Sequence, residues 1–462
     1  MRRIGIDVGG TNTDAVLIED GKVIRAVKAP TSEDVTTGIL EALKSLGSTG
    51  ALEGKKVDGV MIGTTHFINA VVQRRHLTKV GALRLGMPAT STLPPFCDWP
   101  EDLAELVRGG VWMVEGGHEY DGRLFMPLDE AAVTKAAQEM KAKGLTSIAI
   151  SAVFSPLDPG HERRAAELVA KVLPDASITC SSDLGRIGLL ERENAGLLNA
   201  ALADLARETI AAFEKSIRDS GIAAPLFITQ NDGTVVEAAQ ARRLPVYSFA
   251  SGATNSMRGA AYLSGLQDAM VVDVGGTTTD VGQLKNGFPR EANSVVKVGG
   301  VRTLFRMPDL LSIGLGGGSH VELDPVKVGP VSVGYRLLKD GIAFGGKQLT
   351  TTDVAIAAGV LSLGDKARVA HLDAAACKKV FAEAARLAEE AIDRMKTEAG
   401  DVKLIAVGGG AFLIPARMPG VSEVIHVQHG DCANAVGAAI AQVSGECDQI
   451  FKDMSRVDAI AA

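Results

Sequence analysis

An eight-residue segment occurs twice in the chain, and it restricts the possible folds more than any other feature. Asp7-Val8-Gly9-Gly10-Thr11-Asn12-Thr13-Asp14 returns as Asp273-Val274-Gly275-Gly276-Thr277-Thr278-Thr279-Asp280, with seven of the eight positions identical. The surroundings repeat too. Each copy follows a short apolar stretch, Ile4-Gly5-Ile6 or Met270-Val271-Val272, and leads into a second, Ala15-Val16-Leu17-Ile18 or Val281-Gly282-Gln283-Leu284. Asp20-Gly21 and Asn286-Gly287 then supply the two-residue signal of a β-hairpin turn. After the first turn, Val23, Ile24 and Val27 predict a third strand. A dinucleotide-binding or P-loop glycine turn leads from a strand into a helix, whose N-terminus meets phosphate. Here the turn leads from strand to strand. Two related half-domains are expected to face each other across a cleft lined by both Gly/Thr turns.

Between the repeats, helix and strand patterns alternate. Val133, Ala136, Ala137 and Met140 fall at helical spacing, with Asp129 as a cap and Gly144 as a stop. Residues 147–154 predict a buried strand, Asp158-Pro159 a helix start, and residues 176–180 a further strand. Together they give a small α/β insert over about 76–180. A helical region at about 188–220 follows, then strands near 226–229 and 246–249. The expected division is a first half at 1–190 containing the insert, a second half at 191–431, and a C-terminal helical segment at 432–462 packing back on the first half.

Glycines let a backbone approach an anion closely, and successive N–H groups can form a nest for phosphate oxygens. Thr11, Thr13, Thr277 and Thr279 add hydroxyl donors without charge. Asp7 and Asp273, ending their strands, suit Mg²⁺ through water or a base acting on a nucleophile. A third cluster, Gly408-Gly409-Gly410, follows the apolar run Leu404-Ile405-Ala406-Val407. Such a turn lets the backbone lie flat against a planar group such as adenine. The late segment Ala433-Asn434-Ala435-Val436-Gly437-Ala438-Ala439 permits a close crossing with a similar helix.

Two phosphate hairpins, a glycine-rich adenosine turn and a late Ala/Gly helix, in that order, resemble the actin, sugar-kinase and heat-shock chaperone superfamily. The resemblance implies an α/β fold of two ribonuclease-H-like halves, with Mg-ATP in the cleft and closure on nucleotide. More specific segments resemble the hydantoinase A/5-oxoprolinase family across nearly the whole chain. They include Ile62-Gly63-Thr64-Thr65-His66-Phe67-Ile68-Asn69-Ala70, Glu191-Arg192-Glu193, Thr229-Gln230-Asn231-Asp232-Gly233, Gly314-Leu315-Gly316-Gly317-Gly318-Ser319 and Leu349-Thr350-Thr351-Thr352-Asp353. That family implies ATP-dependent opening of a cyclic amide such as a hydantoin or 5-oxoproline, by phosphorylation of the carbonyl oxygen. A small-molecule kinase and a nucleotide-dependent switch or regulatory subunit are the alternatives on the same fold.

The resemblance gives each motif an expected role. Gly9, Gly10, Thr11 and Thr13, with Gly275, Gly276, Thr277 and Thr279, cradle the β- and γ-phosphates. Asp7 and Asp273 position Mg²⁺ and its waters, and Asp273 is favoured for polarising a nucleophile. Gly408, Gly409 and Gly410 face the adenosine. Thr64, Thr65, His66 and Asn69 approach the substrate, as do Gly316, Gly317, Gly318 and Ser319. His66 serves equally well as a neighbour of a helix cap. Relative to the family, Ser251-Gly252-Ala253 replaces the usual Ser-Gly-Pro, and the C-terminal part is short. A second, hydantoinase B-like or other subunit is therefore an expected partner.

Composition removes other classes. Lys plus Arg is 48 against 55 Asp plus Glu, a net charge of −7, so nucleic acid and anionic membrane are poor partners. No apolar run reaches membrane-spanning length, and Asp7 stands where a signal peptide needs apolar residues. Cys97, Cys180, Cys377, Cys432 and Cys447 include no CxxC pair. A soluble, cytoplasmic, reduced protein is expected. His429, Asp431 and Cys432 lack a second ligand cluster at zinc spacing, which favours a helix cap and a packed thiol.

Overall fold

The computed structural model describes residues 1–9, 12–30, 35–48, 50, 52, 55–185, 187–292, 295–304, 306–444 and 454–461. Both copies of the repeat form the expected hairpins. Strand Arg2–Val8 pairs antiparallel with Asn12–Glu19, which pairs antiparallel with Lys22–Pro30. Strand Ala269–Val274 pairs likewise with Thr279–Lys285, which meets Phe288–Pro289. At the turns, Asp20 and Gly21 have φ of 49° and 78°, and Asn286 and Gly287 have 53° and 76°. Two successive positive φ values are what a tight hairpin turn needs to match the strand twist, hence Asp-Gly and Asn-Gly.

Each hairpin is extended on its other side by parallel strands. Arg2–Val8 lies beside Gly59–Thr64 and then Leu226–Thr229; Ala269–Val274 lies beside Val402–Val407 and then Val421–His426. The two sheets thus share one order: third, second, first, fourth and fifth strand. The first is completed by Thr234–Glu237 and Gln442–Val443, and in the second Leu310–Ile313 also pairs with Thr279–Lys285. The central strands are apolar and almost wholly buried, as strands covered on both faces must be.

The insert is a separate parallel sheet in the order Arg108–Glu115, Val80–Met87, Ser147–Ala152, Ser177–Cys180. Helix Glu130–Ala142 covers it with Val133, Ala136, Ala137 and Met140, and Asp129 caps it by accepting from the Ala132 amide at 2.9 Å. A buried Arg84 guanidinium meets the Glu193 carboxylate, which also accepts from Ser151 at 2.6 Å, fastening the insert to helix Leu189–Ala201. Among the described residues, no helix is long and apolar enough to cross a membrane.

Two expectations need correction. Residues 246–249 are not a strand: Pro245 removes an amide donor and opens a single three-ten turn, Pro245–Ser248. The sheets do not divide at residue 190, because Leu226–Thr229 and Thr234–Glu237 are hydrogen-bonded into the first sheet. The chain crosses from the first sheet to the second through helix Ser251–Ser264, and returns through helix Ala433–Ile440.

Those two helices touch backbone to backbone. A Cβ on Gly437 would lie 1.8 Å from the Asn255 carbonyl oxygen, and one on Gly259 would lie 2.0 Å from that of Ala433. Beneath them, a Cβ on Gly5 would lie 2.0 Å from the Ala435 carbonyl. The small-residue helix therefore makes the expected close crossing, and Ala433–Ile440 packs on the first half. Of the segment expected to pack with it, residues 445–453, Cys447 included, and 462 lie outside the described residues.

The first hairpin carries one irregularity. Glu19 faces Lys22 and Ile18 faces Val23, but Leu17 faces Arg25, so Ile24 is left out of the ladder and is half exposed. Beyond this bulge the register puts Lys28 opposite Asp14.

Candidate functional site

Asp7 stands next to last in strand Arg2–Val8 of the first sheet, and the ladder sets its neighbours. Directly opposite are Asp14 on the second strand and then Lys28 on the third, so the three side chains share one face. Lys28 Nζ donates to Asp14 Oδ2 at 2.7 Å and to the Asp431 carbonyl at 2.6 Å. From the C-terminal helix, Asn434 Nδ2 donates to Asp7 Oδ2 at 3.2 Å. Asp7 Oδ1 is buried and has no hydrogen-bond partner among the described residues. Space is kept open around that carboxylate by missing side chains. A Cβ on Gly63 would lie 3.1 Å from Oδ1, and one on Gly9 would lie 3.6 Å from Oδ2.

The second half repeats the plan with a difference. Asp273 faces Asp280, and Asp280 faces Ser312 rather than a lysine. The hairpin turns match: the Gly9 amide donates to the Asn12 carbonyl at 3.1 Å, and the Gly275 amide to that of Thr278 at 2.9 Å. Gly408, at φ 88°, brings the glycine turn onto Asp273, where a Cβ would lie 2.3 Å from Oδ1. The Gly410 amide donates to the Val274 carbonyl at 2.7 Å, and the Cβ position of Gly409 meets open space.

Burial pushes the Asp7 carboxyl up to about 7, with Asp14 adding to the rise, Asn434 opposing it, and Asp273 adding again. Asp273 is raised to about 6 by burial, against the Ser256 hydroxyl beside it, with Asp280 contributing. The Asp273 charge adds to the rise at Asp7, so the two carboxylates act on one another.

The other expected residues separate into three groups. Thr64, Thr65, His66 and Asn69 form one cluster a strand away from Asp7, whose ladder partner is Gly63. The His66 amide donates to Thr64 Oγ1 at 3.1 Å, and Asn69 Nδ2 to Thr65 Oγ1 at 3.2 Å, as the helix His66–Gln73 begins. Burial lowers the His66 pKa, with His76 acting in the same direction.

Gly316, Gly317, Gly318 and Ser319 are buried against the turn of the second hairpin. The Gly317 amide donates to the Gly275 carbonyl at 3.0 Å, and the Gly318 amide to that of Gly276 at 2.7 Å. A Cβ on Gly316 would lie 2.7 Å from the Thr277 nitrogen. These contacts make the segment a brace for the hairpin turn. Thr279 is likewise buried, its hydroxyl donating to the Leu315 carbonyl at 2.7 Å, whereas Thr277 is exposed at the turn. Thr13 is buried as well. Gly10 and Thr11 lie outside the described residues.

Asp14, Lys28, Asp280, Ser256 and Asn434 were not anticipated. Asp14 and Asp280 had a signal, as the last identical position of the repeat. Asn434 sits in a segment legible only as a packing helix. The Cys432 thiol, pushed up to about 12 by burial, fits the expected packed role.

The residues present fit a Mg²⁺ ion. Asp7 Oδ1 is an orphaned hard oxygen donor among the described residues, and the Asp273 charge is near enough to raise the Asp7 pKa. Among the described residues no three His, Cys, Asp or Glu side chains converge as a metal cage. Two carboxylates without a cage suit a cation held largely by water and substrate phosphates. A shallow depression lined by Asp204, Arg207, Arg242 and Arg243 lies elsewhere; its arginines are paired with Asp204, Glu214 and Asp183. Buried carboxylate oxygens without a partner among the described residues lie at Asp7 and Asp14, not in that depression.

Comparison with known proteins gives a consistent result. Residues 3–173 match the hydantoinase/oxoprolinase N-terminal region, and residues 192–367 match the hydantoinase/oxoprolinase domain. The chain is 27% identical over 402 residues to the caprolactamase α subunit of Pseudomonas jessenii, covering 78% of this chain and 55% of that protein. It is 26% identical over 374 residues to the acetone carboxylase β subunit of Xanthobacter autotrophicus, covering 72% and 51%. It is 25% identical over 408 residues to the acetophenone carboxylase γ subunit of Aromatoleum aromaticum, covering 78% and 54%. The chain thus spans about half the length of these curated relatives. The crystal structure of the ATP-dependent caprolactamase from Pseudomonas jessenii superposes with a TM-score of 0.77 at 25% identity, covering 94% of this chain and 70% of that one. A nucleotide-free acetone carboxylase shares the fold, with a TM-score of 0.73 at 21% identity over 96% of this chain and 71% of that one.

Proposed function

The chain belongs to the hydantoinase/oxoprolinase family, and from that premise we propose that it uses ATP to activate the carbonyl oxygen of a cyclic amide for ring opening. The observation that carries this reading is the pair of matched hairpins, each with an aspartate near the end of its first strand, Asp7 or Asp273, and with Asp7 Oδ1 unpartnered among the described residues. The names of the relatives add a chemical argument. Caprolactam is a cyclic amide, and acetone and acetophenone are ketones. What such substrates share is a carbonyl oxygen that can accept a phosphoryl group.

An unstrained lactam resists water because amide resonance leaves its carbon a weak electrophile. In the proposed step the carbonyl oxygen forms a bond to the γ-phosphorus as the bond from that phosphorus to ADP breaks. Water then adds to the activated carbon, the C–N bond breaks, and the acyl phosphate so formed is hydrolysed to a free carboxylate and phosphate. Catalysis rests on alignment and on neutralising spread charge. Amides and hydroxyls of the turns at Gly9 and Gly275–Thr277 would hold the β- and γ-phosphates, and Gly408–Gly410 would face the adenosine. Asp7 and Asp273 would hold Mg²⁺ and its waters, and Asp273 would orient the nucleophile. Bound there, Mg²⁺ supplies charge neutralisation at the phosphates. Thr64, Thr65, His66 and Asn69 would meet the ring. A second subunit, as the subunit names of the relatives suggest, would complete the hydrolysis.

The expected result is ADP release stimulated by one class of ring in a panel of hydantoins, 5-oxoproline and larger lactams. An opened product, followed by mass spectrometry in the same tubes, should match it. A stable phosphorylated product without ring opening would replace this reading with a small-molecule kinase. No stimulation by any ring, with or without candidate partner subunits, would replace it with a nucleotide-dependent switch.

A further inference from the structure

We infer that Asn434 is the positioning residue for Asp7, and that Lys28 fastens the turn leading into the helix of Asn434 to the same hairpin. The inference rests on the nucleotide-site reading above and adds to it a pair of residues joined from opposite ends of the chain. Asn434 donates to Asp7 Oδ2 at 3.2 Å across 427 positions of sequence, and Lys28 donates to the Asp431 carbonyl at 2.6 Å across 403.

Three observations give this arrangement a purpose beyond packing. Asn434 engages one carboxylate oxygen and leaves the other, buried Oδ1 without a partner among the described residues. A carboxylate fixed by one oxygen presents the second in a single direction, which is what a cation or its water shell requires. Lys28 does not end at Asp14: the same ammonium bridges to the backbone three residues before Asn434. The second half has a counterpart of Asn434 in Ser256, which lies beside Asp273 on helix Ser251–Ser264, but none of Lys28 among the described residues. Asp280 there faces Ser312, which offers no charge and no reach to a crossing segment. The lysine link therefore belongs to the Asp7 side alone. It lies where helix Ala433–Ile440 returns to the first half, so the orientation of Asp7 depends on the seating of that helix.

The test compares binding of a fluorescent ATP analogue in EDTA and in Mg²⁺, with kcat measured alongside. Asn434→Leu keeps the bulk and removes the donor. It is expected to cut the Mg²⁺-dependent gain in affinity about tenfold, with affinity in EDTA unchanged. Asn434→Ser, which restores a donor, should recover part of the gain. Lys28→Met should act in the same direction, Lys28→Arg should stay close to wild type, and Lys28→Met joined with Asn434→Leu should lose no more than the larger single change. A full Mg²⁺ gain in Asn434→Leu, or losses in the double variant that simply add, would overturn the inference and leave the nucleotide site standing. Wild-type protein that gains nothing from Mg²⁺ would overturn the site reading and the inference together. Circular dichroism melts separate a misfolded variant from a mispositioned carboxylate, and Asn434→Ser then carries the comparison.

Discussion

Asp7→Asn should remove nearly all Mg-ATP turnover and, in the same protein, raise the stability of the nucleotide-free state above neutral pH. The loss follows from the role proposed for the carboxylate; removing a preorganised electrostatic group costs about 10²–10³-fold in kcat. The gain follows from its burial. Asp7 is pushed from 3.8 up to about 7, chiefly by burial, so the folded state keeps a proton that the unfolded chain has already released. Stability from this group is therefore greatest below about pH 4, falls as pH rises through the window to about 7, and is level above it. Asparagine cannot ionise and escapes the loss. In EDTA the variant should exceed wild type by a few kcal/mol at pH 8, and by much less at pH 5, read as melting temperature. Equal differences at both pH values would remove the burial argument, and unchanged turnover would remove the site.

The other large effect should come from a single methyl group at Gly437. Its Cβ would stand 1.8 Å from the Asn255 carbonyl oxygen and 2.5 Å from the carbonyl carbon, so neither helix can stay where it is. Forced separation of packed backbones costs about 1–3 kcal/mol, and more where, as here, neither side can yield by a rotamer change. It also draws Asn434 away from Asp7 and strains Asn255, whose amide donates to Thr229 Oγ1 at 2.9 Å. Gly437→Ala should accordingly lower the urea midpoint and Mg-ATP turnover together. Gly409→Ala, with open space at its Cβ, should leave the urea midpoint alone. A Gly437→Ala protein with the wild-type midpoint would show that the crossing tolerates separation.

The repeat made both hairpins legible, because alternation of apolar stretches, a glycine turn and an Asp-Gly or Asn-Gly turn each carry a local physical cause. The insert was legible for the same reason: Asp129, the Val133–Met140 stripe and Gly144 mark one helix by cap, face and stop. Local signals failed where the decisive neighbour was remote. Gly316–Ser319 has the look of a ligand turn, yet its amides meet the carbonyls of Gly275 and Gly276. Thr279 has the look of a phosphate donor, yet its hydroxyl braces Leu315. Residues 246–249 are apolar enough for a strand, but Pro245 commits the backbone to a turn. Strands Leu226–Thr229 and Thr234–Glu237 carry nothing that says which sheet they join, and the boundary drawn at 190 was short for that reason.

Lys28 is the most instructive omission. Counting back from the Asp20-Gly21 turn in an unbroken ladder puts Val27 opposite Asp14 and turns Lys28 to the other face. Only the bulge at Ile24 brings the lysine round. The hairpin thus carries one residue more than its ladder uses, and this fixes how its length can vary. Shortened by Ile24, the strand regains continuous pairing and Lys28 still faces Asp14. Lengthened by one residue in an unchanged ladder, it sends every later side chain to the opposite face and puts an apolar group beside the carboxylates. Tolerance of insertion and deletion in this hairpin is therefore one-sided, and it is decided at an exposed isoleucine that touches none of the chemistry.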